Sequence, residues 1–184
     1  MFGKATDEQL VAKALTGVES AWVNLVKRYE KRLYNYALRM SGNPEDAMDI
    51  MQDVFMSVYR NLSSYRGDGV FAAWLFRIAS FRCTDYYRKR ARQFDSTDQT
   101  DDFADENSLD GSELDVSQGL EKLIQELPTE QRHVIELKFF QNFTFDEIAG
   151  QLGISSNTAK SRVYAALKKM RNTGNTALLL KEGA

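Results

Sequence analysis

Residues 144–171 read TFDEIAGQLGISSNTAKSRVYAALKKMR, and this stretch decides how the rest of the chain is read. Thr144 followed by Glu147 has the spacing of a capping box, in which the hydroxyl takes the amide three residues on and the carboxylate reaches back to the cap. Ile148, Ala149 and Leu152 then fall on one helical face. Gly153 permits the left-handed conformation that ends a helix, and Ile154 plugs the corner before the next one. Ser155 or Ser156 caps a second helix, whose Ala159, Val163, Ala166, Leu167 and Met170 are spaced for burial. Asn157, Lys160, Ser161 and Tyr164 are left outside near its N-terminal half. A helix-turn-helix of this kind sets its second helix in a DNA major groove. The bland alternative is a helical hairpin with a solvated basic face, but cap, glycine corner and basic outer face together favour DNA.

Upstream, the pattern remains helical. Leu25, Val26, Tyr29, Leu33, Tyr36, Ala37 and Met40 recur at three and four residues after Trp22. The segment SGNPED breaks this pattern, and Ala47, Ile50, Met51, Val54, Phe55, Val58, Tyr59 and Leu62 set a second wide apolar stripe. A turn at RGDG precedes a helix in which Phe71, Trp74, Leu75, Ile78 and Ala79 point to a core. A shorter helix covers residues 8–15. Leu120, Leu123, Ile124, Leu127, Val134 and Leu137 lead into the helix-turn-helix. Only two prolines occur among the 184 residues, Pro44 and Pro128, each just ahead of a helical pattern, where the missing N–H is harmless. The fold class is all-α: two small helical domains, the second containing the helix-turn-helix.

The 25 residues 93–117 hold nine Asp or Glu and no Lys or Arg, with few large apolar groups. Such a segment cannot bury enough surface to order itself, and it reads as an acidic flexible linker. The net charge of -2 therefore averages segments of opposite sign. Residues 82–92 carry five basic groups against Asp85, and residues 155–171 carry five and no acid. Phosphate binding follows such local patches rather than the total. The single Cys83 excludes an intrachain disulfide and a cysteine-based zinc site, which fits a reducing, cytoplasmic setting. The N-terminal MFGKATDEQL has no signal-peptide core, and no apolar run approaches membrane-spanning length, so no membrane insertion is expected.

Two further patterns carry function. Aromatics are interleaved with the first basic cluster: Phe71, Trp74, Phe81, Tyr86 and Tyr87 among Arg77, Arg82, Arg88, Lys89 and Arg90. Unpaired bases stack on aromatic rings while cations hold the strand. Core packing is the natural reading for Phe71 and Trp74, whereas for Phe81, Tyr86 and Tyr87 core and nucleotide contact stand equal. On the second long helix Asp49, Gln52, Asp53 and Met56 lie at i, i+3, i+4 and i+7, a stripe opposite the apolar face. Nothing supplies an activated nucleophile, so a recombinase is excluded. His133, beside Arg132 on an amphipathic helix, reads as a surface or packing residue rather than a catalyst. There is no phosphate-binding glycine loop. The chain is expected to be no enzyme and to need no cofactor.

PEDAMDIMQDVFMSVYRNL, YRGDGVFAAWLFRIA with Asp85 and Arg88, and LPTEQRHVIELKFF with TFDEIAGQLGISSNTAKSR resemble, in this order, the conserved segments of bacterial RNA polymerase sigma factors of the extracytoplasmic-function group. The resemblance implies domains at 1–92 (region 2-like), 93–117 (linker) and 118–172 (region 4-like), with a tail at 173–184 that extends the last helix at most. It implies an alternative sigma factor that binds core RNA polymerase, recognises promoter DNA as duplex and melted strand, and answers to an anti-sigma factor. Asp49, Gln52, Asp53 and Met56 fall where such proteins grip core polymerase. Tyr65, Arg66, Gly67 and Asp68, with Phe81, Tyr87, Arg88 and Lys89, fall on minus-ten positions. Ser156, Asn157, Lys160, Ser161, Arg162 and Tyr164 fall on minus-thirty-five positions. The chain departs from the family pattern at Phe81, where many members carry Asn, and at Ala165-Ala166-Leu167, where Arg-Ala-Arg is common. A plain helix-turn-helix regulator is the alternative, but it leaves the aromatic basic helix and acidic stripe unused. A 25-residue linker spans about 25–30 Å as a coil and roughly 80–90 Å when extended. The two modules are accordingly expected to move independently in the free chain.

Overall fold

The computed structural model describes residues 5–95 and 112–182. Helix α1 (Asp7–Leu15) is opened by a reciprocal cap between Thr6 and Gln9. Its Asp7 carboxylate accepts from Arg28 and from the Tyr29 hydroxyl, tying it to α2 (Glu19–Ser41). Gly42, at φ 75°, ends α2 in the left-handed region that a side chain would strain. The Asn43 carboxamide then accepts the amides of Glu45 and Asp46, with Pro44 first in α3 (Pro44–Asn61). A 3-10 turn and a short loop lead to α4 (Phe71–Asp95). Leu25, Leu33 and Met40 of α2 close on Val54 and Val58 of α3 and on Phe71, Leu75 and Phe76 of α4, all buried.

The second module comprises α5 (Ser112–Gln125), α6 (Thr129–Ile135), α7 (Phe145–Leu152) and α8 (Ser156–Glu182). Helix α6 runs into a π-helical turn, Glu136–Phe140. The capping box at Thr144 and Glu147 forms as the spacing predicts, and Gly153 adopts φ 66°. Ser155, not Ser156, caps α8 by accepting the Thr158 amide. Ala159, Val163 and Ala166 are buried, but Leu167 is exposed, because it lies past the edge of their stripe, 80° around the helix from Ala159. Tyr59 of α3 is likewise outside the core that its spacing suggested. The described residues are helical with no strand, as the sequence predicts.

Helices α4 and α5 reach into both ends of the acidic segment; residues 96–111 lie outside the described residues. The expectation of independent modules is corrected by direct packing between them. Arg39 of α2 forms a two-pronged ion pair with Glu136, at 2.6 and 2.8 Å. The Tyr36 hydroxyl lies 3.0 Å from His133 Nδ1. Arg132 donates to the Met40 carbonyl at 2.6 Å, where the last carbonyls of α2, beyond the reach of the helix's own amides, favour a cation. Phe76 meets Phe143 edge to face at 5.8 Å. These partners sit on separate elements far apart in the chain, so no local spacing could announce them.

Candidate nucleic-acid and protein interfaces

The polar stripe on α3 forms as read. Ile50, Val54 and Val58 are buried, while Asp49, Gln52 and Asp53 are exposed and Met56 keeps 51% of its surface in solvent. An aromatic ridge borders it: Trp22 of α2 packs on Tyr59 at 5.1 Å and on Phe55 at 6.3 Å. Tyr59 stands beside the stripe with its ring exposed. Two carboxylates with flanking Met and Tyr suit a protein partner, since the acids repel phosphate while the apolar groups supply buried area.

A second face lies at the start and along one side of α4. Tyr65 packs against Phe71 and Trp74 at 5.4 and 5.5 Å, and its hydroxyl donates to the Gly69 carbonyl at 2.6 Å. That bond closes a small loop in which Gly67 holds φ 76° and Arg66, Gly67 and Asp68 are exposed. Further along, Phe81 is 56% exposed, which settles its equal odds against core packing. Arg77 and Arg88, four residues before and seven after it, are exposed on the same side. Arg77 belongs with this face by that spacing. Lys89 is exposed but nearly a quarter-turn further round than Phe81.

Tyr87 requires correction as a nucleotide contact. Its hydroxyl donates to the Met40 carbonyl and accepts from Arg132 at 2.7 Å, and burial pushes its phenol up to about 12. The ring faces the second module because it shares the inward side of α4 with Phe76, Ser80 and Cys83. Tyr86 is also engaged, donating to Asp46 at 2.6 Å and accepting from Arg90 at 2.6 Å. Arg82 braces Ser57 of α3 at 2.9 Å instead of facing outward.

The third face is the N-terminal half of α8. Asn157, Lys160 and Ser161 are exposed, and Tyr164 is 68% exposed. Lys160 stands 5.8 Å over the Phe145 ring. Two members of the expected set are held otherwise. The Ser156 hydroxyl donates to Asp146, joining the two helices of the motif. Arg162 is half-buried and paired with Glu130 of α6 at 2.6 Å, so its cation braces the module in this state. His133 is a packing residue: burial, then the cations Arg132 and Arg162, push its pKa down to about 4. Among the described residues no helix is long and apolar enough to cross a membrane.

Sigma-70 region 2 matches residues 25–93, and Sigma-70, region 4 matches residues 117–170. The chain is 26% identical to the RNA polymerase sigma-H factor of Pseudomonas aeruginosa, over 90% of its own length and 92% of that protein's. It is 29% identical to the ECF RNA polymerase sigma-E factor of Escherichia coli, over 94% and 96%. The sigma factor RpoE of Bartonella quintana, solved in complex with the anti-sigma factor NepR, matches with a TM-score of 0.70 and 26% identity, over 81% of this chain and 93% of that one. CnrH, solved in complex with the cytosolic domain of CnrY, gives a TM-score of 0.70 at 26% identity, over 92% and 97%.

Proposed function

The chain belongs to the sigma-70 family of RNA polymerase sigma factors, in its extracytoplasmic-function group, and we propose which of its surfaces carries each part of that role. It is an alternative sigma factor, a non-enzymatic initiation factor that binds core RNA polymerase and directs promoter-specific transcription initiation. Polymerase performs the chemistry, and the place of action is the cytoplasm, where polymerase works. The region 2-like module takes residues 1–92 and the region 4-like module residues 118–172, joined through 93–117.

Asp49, Gln52, Asp53 and Met56 on α3 grip the polymerase. Phe81 and Arg88, with the loop from Tyr65 to Asp68, take the minus-ten strand: the exposed ring offers a stacking face, the cation holds the backbone, and Lys89 adds charge nearby. Asn157, Lys160, Ser161 and Tyr164 read the minus-thirty-five duplex from the major groove. Ser156 and Arg162 join them only if their present bonds to Asp146 and Glu130 are released. An anti-sigma partner is proposed by analogy with the relative solved in such a complex.

The observation that carries the assignment is the separation of an acidic face on α3 from the aromatic and basic face of α4. One surface suits a protein and the other a nucleic acid strand. The double variant Asp49→Arg/Asp53→Arg reverses charge on exposed positions and should spare the fold. Co-elution with core polymerase in gel filtration should fall, with promoter-directed transcription falling in parallel. Undiminished co-elution would move the polymerase contact elsewhere.

A further inference from the structure

We propose that Met48 and Met56 on α3 are an oxidation-sensitive pair: a hydroperoxide converts their thioethers to sulfoxides, and the oxidised chain loses its hold on core polymerase. The proposal rests on the assignment of this face to the polymerase, and its test separates the two.

Among the described methionines these two are the exposed ones, at 43% and 51%. Met40 is wholly buried, and Met51 and Met170 are half-buried against the core. With Gln52 midway, Met48 and Met56 form one i, i+4, i+8 row along α3, about 12 Å from end to end. Helical geometry sets this row between Asp49 and Asp53 on one side and Phe55, which meets Trp22 edge to face, on the other. Both side chains therefore lie within the face given to the polymerase.

A thioether suits such a face because it is apolar, polarisable and flexible, and shapes itself to an irregular partner surface. Oxidation reverses this, since a sulfoxide is polar and its oxygen must give up water on docking. The step balances with hydrogen peroxide alone. A sulfur lone pair attacks one peroxide oxygen and the O–O bond breaks. The other oxygen leaves as hydroxide and becomes water by taking the proton of the transferred oxygen. Sulfur gives up two electrons, and the peroxide takes them. Cys83 competes poorly for the oxidant: it is wholly buried, and burial pushes its thiol up to about 12, so little of the reactive thiolate forms. The added oxygens should spare the fold, because both sites already stand in water.

The full chain is treated with graded hydrogen peroxide, the excess is destroyed, and core polymerase is then added. Peptide mass spectrometry should find oxygen on Met48 and Met56 before Met40, Met51 and Met170. Core affinity should fall several-fold or more as the pair is modified, with helical circular dichroism unchanged. Methionine sulfoxide reductases should restore both the thioethers and binding. The Met48→Leu/Met56→Leu chain should bind core polymerase to the same extent before and after treatment, since its apolar side chains carry no sulfur. Earlier oxidation elsewhere, undiminished core binding by the oxidised chain, or an equal peroxide-dependent loss in the Leu variant would overturn the proposal. Asp49→Arg/Asp53→Arg tells the two failures apart. If that variant loses core binding while the oxidised chain keeps it, the polymerase face stands and the oxidation proposal falls; if it too binds undiminished, both fall.

Discussion

Replacing Phe81 by Ala separates a base-stacking ring from a structural one. Fully burying a phenylalanine is worth about 1.5–3 kcal/mol, and Phe81 keeps 56% of its surface in solvent, so truncation forfeits less than half of that, about 1 kcal/mol. For a small domain this lowers the melting temperature by about 4–8 °C or less. Stacking of a base on an aromatic ring is worth about 1–3 kcal/mol, a loss of roughly 5- to 150-fold in affinity. Holoenzyme binding to a promoter fork with an unpaired minus-ten strand should therefore fall over that range, while binding to a duplex minus-thirty-five fragment stays unchanged. Tyr87→Ala is the internal contrast, since its ring is half-buried against the core and its hydroxyl bonded across the modules. It should destabilise the fold more than Phe81→Ala. Unchanged fork binding by Phe81→Ala, or a melting loss equal to that of Tyr87→Ala, would refute the reasoning.

Lys160→Ala and Tyr164→Ala remove side chains exposed on α8, so each should weaken minus-thirty-five duplex binding by about 1–3 kcal/mol without altering core association; equal loss of core binding would indicate misfolding. His133 adds a pH dependence. Its pKa in the docked, folded chain is about 4 against about 6.5 for a solvated imidazole, so its contribution is complete above pH 6.5 and is lost as pH falls through 4, about 3 kcal/mol in all. Glu136, raised by burial against the opposing Arg39, has the opposite sign, since its contribution is lost as pH rises. His133→Gln should therefore flatten the fall in melting temperature between pH 6.5 and 4, and an identical slope in parent and variant would overturn the assignment.

The all-α class, the helix-turn-helix with its Thr144 cap and Gly153 corner, and the acidic stripe on α3 were all readable in the sequence. Each depends on residues within a few turns of one another, where helix geometry turns spacing into direction. The same spacing could not say which way Phe81 and Tyr87 point, because α4 has a core on one side, a second module on another and solvent on a third. Only packing showed that Phe81 is open while Tyr87 is engaged. Nor could sequence show that Arg162 braces α6, that Arg39 meets Glu136, or that the two modules are docked. Those contacts join side chains on different helices, and only the tertiary fold sets the distances between them.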